Sequence, residues 1–313
     1  MQKATLSRVR LALGAVLGCA SWSMAVDIVH DTWIDGTRTD PAAPVYSENG
    51  VDLDSDGNLE SAWYLGGSGT LDAVGPGGPL RGTGFGTSSA SWTTYFAPEA
   101  SPITLSSIGD VMKVTWVFTP TNVNTTNTSQ GFRIALVDSP AASRIVADAT
   151  PGNATYTGYG IFANMGQTLG HSNSFQLVER SAPGTASALL SATGSWTGLG
   201  NGATNGAPGY ANNTEYTFEM TLTRGAGGVL DIVASMSGGN LNTSGLAQVV
   251  FTDTTPNGGS FSFDTFQVRP SSAALTADTF DTRRFRVEYI PIPEPAALGA
   301  LALAGALGLR RKR

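Results

Sequence analysis

Apolar and polar residues alternate with a period of two through much of this chain. From Thr214 to Arg224, Tyr216, Phe218, Met220 and Leu222 fall on one side and Glu215, Thr217, Glu219, Thr221 and Thr223 on the other, the pattern of a strand with one packed and one wet face. Phe132, Ile134 and Leu136 repeat it, as do Leu230, Ile232, Ala234 and Met236, and Phe285, Val287 and Tyr289. Val111 to Thr119, Gly158 to Met165, Ser174 to Glu179, Leu246 to Thr252 and Phe261 to Val268 are rich in β-branched and aromatic residues and bounded by Gly, Pro, Asn or Ser. Arg224-Gly225-Ala226-Gly227-Gly228 lies between two of the clearest strands, and its glycines can take the positive φ of a tight reversal. No stretch of residues 26–290 holds a helical period for three turns. The pattern predicts an all-β fold, an antiparallel two-sheet β-sandwich of the jelly-roll kind, in one domain spanning residues 26–290. Gly194 to Gly209 reads as its most mobile loop.

The two ends depart from this pattern. Lys3, Arg8 and Arg10 precede the apolar stretch Leu11 to Ala20, and Ser23 and Ala25 supply small residues before Val26. This is the layout of a secretory signal peptide over residues 1–25, cut after Ala25. Val16-Leu17-Gly18-Cys19 loosely imitates a lipoprotein box, which leaves lipidation of Cys19 as the alternative. At the other end, Pro291-Ile292-Pro293-Glu294-Pro295 leads into 14 residues without a polar side chain, Ala296 to Leu309, then Arg310, Arg311, Lys312 and Arg313. As a helix, that run spans about 21 Å, short of the ~30 Å hydrocarbon core of a bilayer. Four adjacent cations would stay on the cytoplasmic side, and the prolines keep the approach extended. A plain tail anchor and a buried C-terminal helix are the alternatives.

The Pro293-Glu294-Pro295 motif, the hydrophobic helix and the basic terminus together resemble the PEP-CTERM sorting signal. The resemblance implies an exosortase-type membrane peptidase as partner, a transient membrane anchor through the C-terminal helix, and a bacterium that makes extracellular polysaccharide. Asp31 to Thr39, the Tyr216 to Leu241 hairpin and Phe263 to Pro270 are similar to blocks in exported proteins bearing this signal, whose ectodomains are concanavalin A-like sandwiches. That part of the resemblance implies a fold and a cell-surface setting, and no activity.

Charge narrows the partners. Residues 26–290 hold 11 Lys and Arg against 23 Asp and Glu, a net charge of −12, while the whole chain carries −6. Such a surface repels nucleic acid, so no nucleic-acid partner is expected, and leaves cations and neutral glycans as plausible small partners. Cys19 is the only cysteine. Cleavage after Ala25 therefore leaves no thiol chemistry, disulfide or Cys-ligated metal.

One constellation has chemistry in its spacing. In Asp52-Leu53-Asp54-Ser55-Asp56-Gly57-Asn58-Leu59-Glu60, three carboxylates at alternate positions precede a glycine, as in the first half of a calcium loop. Asp52, Asp54 and Asp56 are the candidate calcium ligands, Asn58 adds a backbone carbonyl and Glu60 a ninth-position ligand. Trp63 stands where an EF-hand has its bidentate Glu, and no helical pattern flanks the loop. The reading is an isolated calcium loop, against the alternative of a solvated acidic turn.

Catalysis finds less support. His30 and His171 are the only histidines, and there is no Gly-x-Ser-x-Gly elbow and no His-Glu-x-x-His. Glu215 and Glu219 share a strand face but stand roughly 13 Å apart at strand rise, too far to pair directly as glycosidase carboxylates. Trp33, Trp63, Tyr64, Trp92, Tyr95, Trp196 and Tyr210 could stack on sugars or pack in the core, with Trp196 and Tyr210 the least core-like. The sequence reads as an exported, non-enzymatic surface or matrix protein. Carbohydrate binding is its first elaboration, and a polysaccharide-acting glycosidase or lyase is the rival.

Overall fold

The computed structural model describes residues 24–292 except 88, 140–143, 152–154, 181–188, 192 and 257–260. The signal-peptide residues before Met24 and the sorting signal from Pro293 to Arg313 lie outside the described residues, and with them both expected terminal helices. Among the described residues no α-helix forms, and no helix is long and apolar enough to cross a membrane.

The described residues form seventeen strands in chain order: β1 (Val26–Asp31), β2 (Trp63–Gly67), β3 (Thr70–Ala73), β4 (Leu80–Thr83), β5 (Ala90–Tyr95), β6 (Ile103–Thr104), β7 (Val111–Thr121), β8 (Phe132–Asp138), β9 (Thr157–Ala163), β10 (Phe175–Arg180), β11 (Trp196–Asn201), β12 (Tyr216–Arg224), β13 (Leu230–Ser237), β14 (Leu246–Asp253), β15 (Ser262–Phe263), β16 (Thr265–Ser271) and β17 (Thr279–Ile290). The first sheet runs β14-β13-β12-β7-β17-β4-β3, with β1 also paired to β17; the second runs β11-β10-β9-β8-β16-β5-β2; β6 and β15 form a separate ribbon. Their pairings are antiparallel. The protein is an all-β antiparallel sandwich of two large sheets, as the alternation predicts.

The core lies between the sheets. Tyr216, Phe218, Met220 and Leu222 of β12 are fully buried, as are Phe132 of β8 and Phe266 of β16. Trp116 of β7 stacks on Phe118 with ring centroids 4.2 Å apart and donates from Nε1 to Thr282 Oγ1 at 3.1 Å. The indole thereby buries its rings without orphaning its N–H. The glycine run after β12 closes the expected hairpin, with Gly227 and Gly228 at φ +76° and +83° and Gly225 N donating to Val229 O.

The region expected to be a mobile loop is instead partly strand. Residues 196–201 form β11 on the edge of β10. Trp196 is anchored by Phe162, 5.5 Å away between centroids, and by a hydrogen bond from Nε1 to Leu189 O. Tyr210, from the same region, is buried against Phe132 and Tyr216. Glycine richness suggested disorder, but two aromatic anchors outweigh it.

The outer face of the second sheet is also covered. Ala135, Val137, Tyr156, Phe162, Val178, Leu189, Leu190 and Trp196 form one satellite cluster, and Tyr46, Ala62, Tyr64 and Tyr95 form another. Beside the second cluster, Asp264 is held by a buried ion pair with Arg144 at 2.7 Å. β1 enters opposite the end of β17, with Val26 facing Tyr289. This places the chain after β1 beside the acidic loop: His30 N donates to Leu59 O and Leu59 N to His30 O.

Candidate cation site

The loop from Ser47 to Ala62 holds its shape mainly with its own carboxylates. Glu48, 5% exposed, accepts the amide of Leu53 on Oε1 and that of Glu60 on Oε2. Asp52 accepts the amides of Ser55 and Gly57, Asp54 that of Asp56, and Asp56 that of Asn58. These side-chain-to-backbone bonds are the local turn chemistry of Asp. Ser55 and Gly57 take positive φ, +69° and +89°, so the glycine serves the sharp turn that its place after the third aspartate predicts.

The turns bring carboxylate oxygens together. Asp54, Asp56 and Glu60 form one set whose ligand oxygens all lie within 4.8 Å of one another; Glu48, Asp52 and Asp54 form a second, and Asp35, Asp40 and Glu60 a third. Oxygens that close can sit on one sphere of about 2.4 Å radius, the distance at which Ca²⁺ takes its ligands. Asn58 is buried and turns its side chain elsewhere, donating to Asp31 Oδ1 at 3.4 Å and accepting from Thr32 Oγ1 at 3.5 Å.

Glu60 is the center of this group. It is only 3% exposed, and among the described residues its carboxylate has no hydrogen-bond donor and no ion-pair partner. Burial first, then the charges of Asp31, Asp35, Asp56 and Asp40, push it up to about 9. Asp31 is raised to about 8, chiefly by burial and secondarily by Asp35, against the opposing amide of Trp33. Burial also raises Asp40, followed by Asp35, Asp54 and Asp56. Oδ2 of Asp56 is buried without a hydrogen-bond partner. Arg38 lies in sequence between Asp35 and Asp40 yet turns away, gripping Asp148 through two bonds of 3.0 and 2.7 Å and donating to Trp63 O. The side chains grouped here are carboxylates, with no His or Cys among them, a set suited to a hard oxygen-seeking cation and unsuited to metals that prefer imidazole or thiolate.

Asp52, Asp54, Asp56 and Glu60 are therefore drawn into neighbouring sets, with Glu60 closest to the buried center. The spacing did not reveal Asp31, Asp35, Asp40 or Glu48. Asp31, at the end of β1, and Asp35 and Asp40 after it fall within ten residues, a carboxylate density that signals something only once the His30–Leu59 bridge sets it against the loop.

The other candidates are structural in their contacts. Trp33, Trp63, Tyr64, Trp92, Tyr95, Trp196 and Tyr210 are all buried, so these aromatics form no exposed stacking face. His171 Nδ1 accepts the amide of Asn173 in a turn. Glu219 pairs with Lys113, and Glu215 lies 3.9 Å from Arg283.

No family model matches the chain, and no curated protein matches its sequence. Solved structures with a related backbone include the carbohydrate recognition domain of Emp47p, at 12% identity over 80% of this chain and 97% of that one with a TM-score of 0.42. Others are the exoplasmic/lumenal domain of VIP36 in its Ca²⁺/Man3GlcNAc-bound form (15%, 75% and 86%, TM-score 0.40) and arcelin-5, a lectin-like defense protein from Phaseolus vulgaris (12%, 74% and 93%, TM-score 0.39). Likeness of this order assigns no ligand, residue or activity to the present chain.

Proposed function

We propose that this chain is an exported, calcium-stabilised surface protein, delivered through its C-terminal sorting signal and then associated with extracellular polysaccharide, without catalysis. The observation that carries the calcium part is the Glu60 carboxylate, buried and without a donor among neighbouring carboxylates. Two carboxylates 4.8 Å apart repel by about 3–4 kcal/mol at an effective dielectric of 20. A divalent cation converts that cost into coordination. Calcium fits because it accepts six to eight oxygens in flexible geometry, and weak extracellular sites match its millimolar supply outside cells.

Export is supported by the apolar, basic-flanked segments at both ends and by the absence of cysteine from residues 26–290. The sorting residues Pro293, Glu294 and Pro295 would engage an exosortase-type peptidase, with Arg310 to Arg313 as the cytoplasmic stop. A polysaccharide partner is supported by the acidic composition rich in uncharged polar residues, which favours neutral glycans over anions. With the aromatics buried, that contact would fall on polar loops.

The test is mass spectrometry of the protein recovered from membrane and medium fractions of its native host, with calcium measured on the same material. The expected chain begins at Val26, lacks the residues beyond the Pro-Glu-Pro motif once released, and carries calcium. An intact chain ending at Arg313 in the cytosol contradicts the export reading. Retention on the host's own polysaccharide without new reducing ends supports binding; new ends contradict the non-enzymatic assignment.

A further inference from the structure

We infer that the site holds two cations bridged by the Glu60 carboxylate, one seated on Asp54 and Asp56 and the other on Asp35 and Asp40. This rests on the calcium reading above and extends it.

The two triads meet only at Glu60: Asp35 and Asp40 do not join Asp54 and Asp56 in a common set of oxygens within 4.8 Å. A single calcium with ligands at about 2.4 Å could therefore satisfy one triad but not both. A carboxylate has two oxygens, and Glu60 can offer one to each side. It is placed for this, being 3% exposed and, among the described residues, without a hydrogen-bond donor to either oxygen. Asp40 also has no hydrogen bond or ion pair among the described residues.

Charge leads to the same count. The five carboxylates carry −5 when ionised, so one divalent cation leaves −3 around a buried group and two leave −1. Among the described residues no Lys or Arg forms an ion pair with these five carboxylates, and the nearby Arg38 is committed to Asp148. The two halves also come from separate segments, the stretch after β1 and the acidic loop, tied in the backbone by the His30–Leu59 bridge. A bridging pair would fasten them at the side-chain level, whereas a lone ion on Asp54 and Asp56 would leave Asp40 beside Asp35 with only the Thr37 amide and hydroxyl donating to the pair among the described residues.

The test is calcium titration by isothermal calorimetry on the full-length chain in detergent, stripped of metal beforehand. The expected stoichiometry is two. It falls to one in Asp35→Asn/Asp40→Asn and to one in Asp54→Asn/Asp56→Asn, and Glu60→Gln weakens both events by at least tenfold. These amides keep the shape and remove repulsion, so the apo fold should survive, which circular dichroism checks. A wild-type stoichiometry of one, unchanged in Asp35→Asn/Asp40→Asn, overturns the bridge and leaves the single-site reading standing. No calcium binding at millimolar concentration overturns both.

Discussion

Replacing Arg144 with Met keeps the stem that packs on the tyrosine cluster but strands a charge. The guanidinium lies 2.7 Å from Asp264 Oδ2, with side-chain exposures of 5% and 0%, and 5.5 and 4.8 Å from the ring centroids of Tyr46 and Tyr95. Three neutral donors remain to Asp264: Ser139 N at 2.8 Å, Ser139 Oγ at 2.8 Å and Thr265 Oγ1 at 2.6 Å. Removing one partner of a buried pair costs about 3–5 kcal/mol, and losing the cation over two rings adds about 1 kcal/mol. The total of roughly 4–6 kcal/mol should lower Tm by about 8–24 °C for a domain of this size. Burial already raises the Asp264 carboxyl, partly held down by Arg144. In the variant it rises further, so the folded protein binds a proton that the unfolded chain gives up near pH 4, and stability is lost as pH rises from there. The deficit should be larger at pH 8 than at pH 5. Urea unfolding at both pH values measures it. A deficit below about 1 kcal/mol, or one independent of pH, refutes the reasoning. Adding Asp264→Asn to Arg144→Met should recover part of the loss, because no charge is then buried alone.

Other expectations follow from the same packing. Asp138, pushed up to about 7 by burial and then by Asp264, costs stability as pH rises from its unfolded value near 4 through 7. Asp138→Asn should therefore gain about 1–2 kcal/mol at pH 8, after allowance for its partial exposure, and nothing at pH 4, read by urea unfolding. A Cβ at Gly82 would meet Trp92 Cζ2 at 2.0 Å, so Gly82→Ala should cost about 1–3 kcal/mol or more through a displaced indole, visible as altered tryptophan emission. Replacing Arg310 to Arg313 with Ser should let the tail misprocess; unchanged termini by mass spectrometry would contradict their role as a stop.

How much the sequence revealed depends on which faces the strands bury. β12 and β13 were legible because one face of each is wetter, and Glu215 to Thr223 alternate accordingly. β5 was not, since all six residues from Ala90 to Tyr95 are buried: loops cover the outer face of that sheet, so Thr93 and Thr94 are as hidden as Trp92. The short strands β3 and β4 carry too few residues to show a period. At the site, Asp52 to Glu60 was legible because turn and ligand share one short segment. Asp35 and Asp40 were not, because only pairing across the His30–Leu59 bridge sets them against Glu60. Local spacing cannot encode that encounter. Trp196 and Tyr210 were misread for a related reason, since glycine-rich surroundings conceal the partners that bury them.

The most direct measurement is a crystal structure of the protein grown in calcium chloride, with anomalous scattering recorded at long wavelength. An anomalous peak is expected between Asp54, Asp56 and Glu60 with oxygen ligands at about 2.3–2.6 Å, and a second between Glu60, Asp35 and Asp40. A map without a peak at Glu60, its carboxylate instead hydrogen-bonded to protein or water, would contradict it.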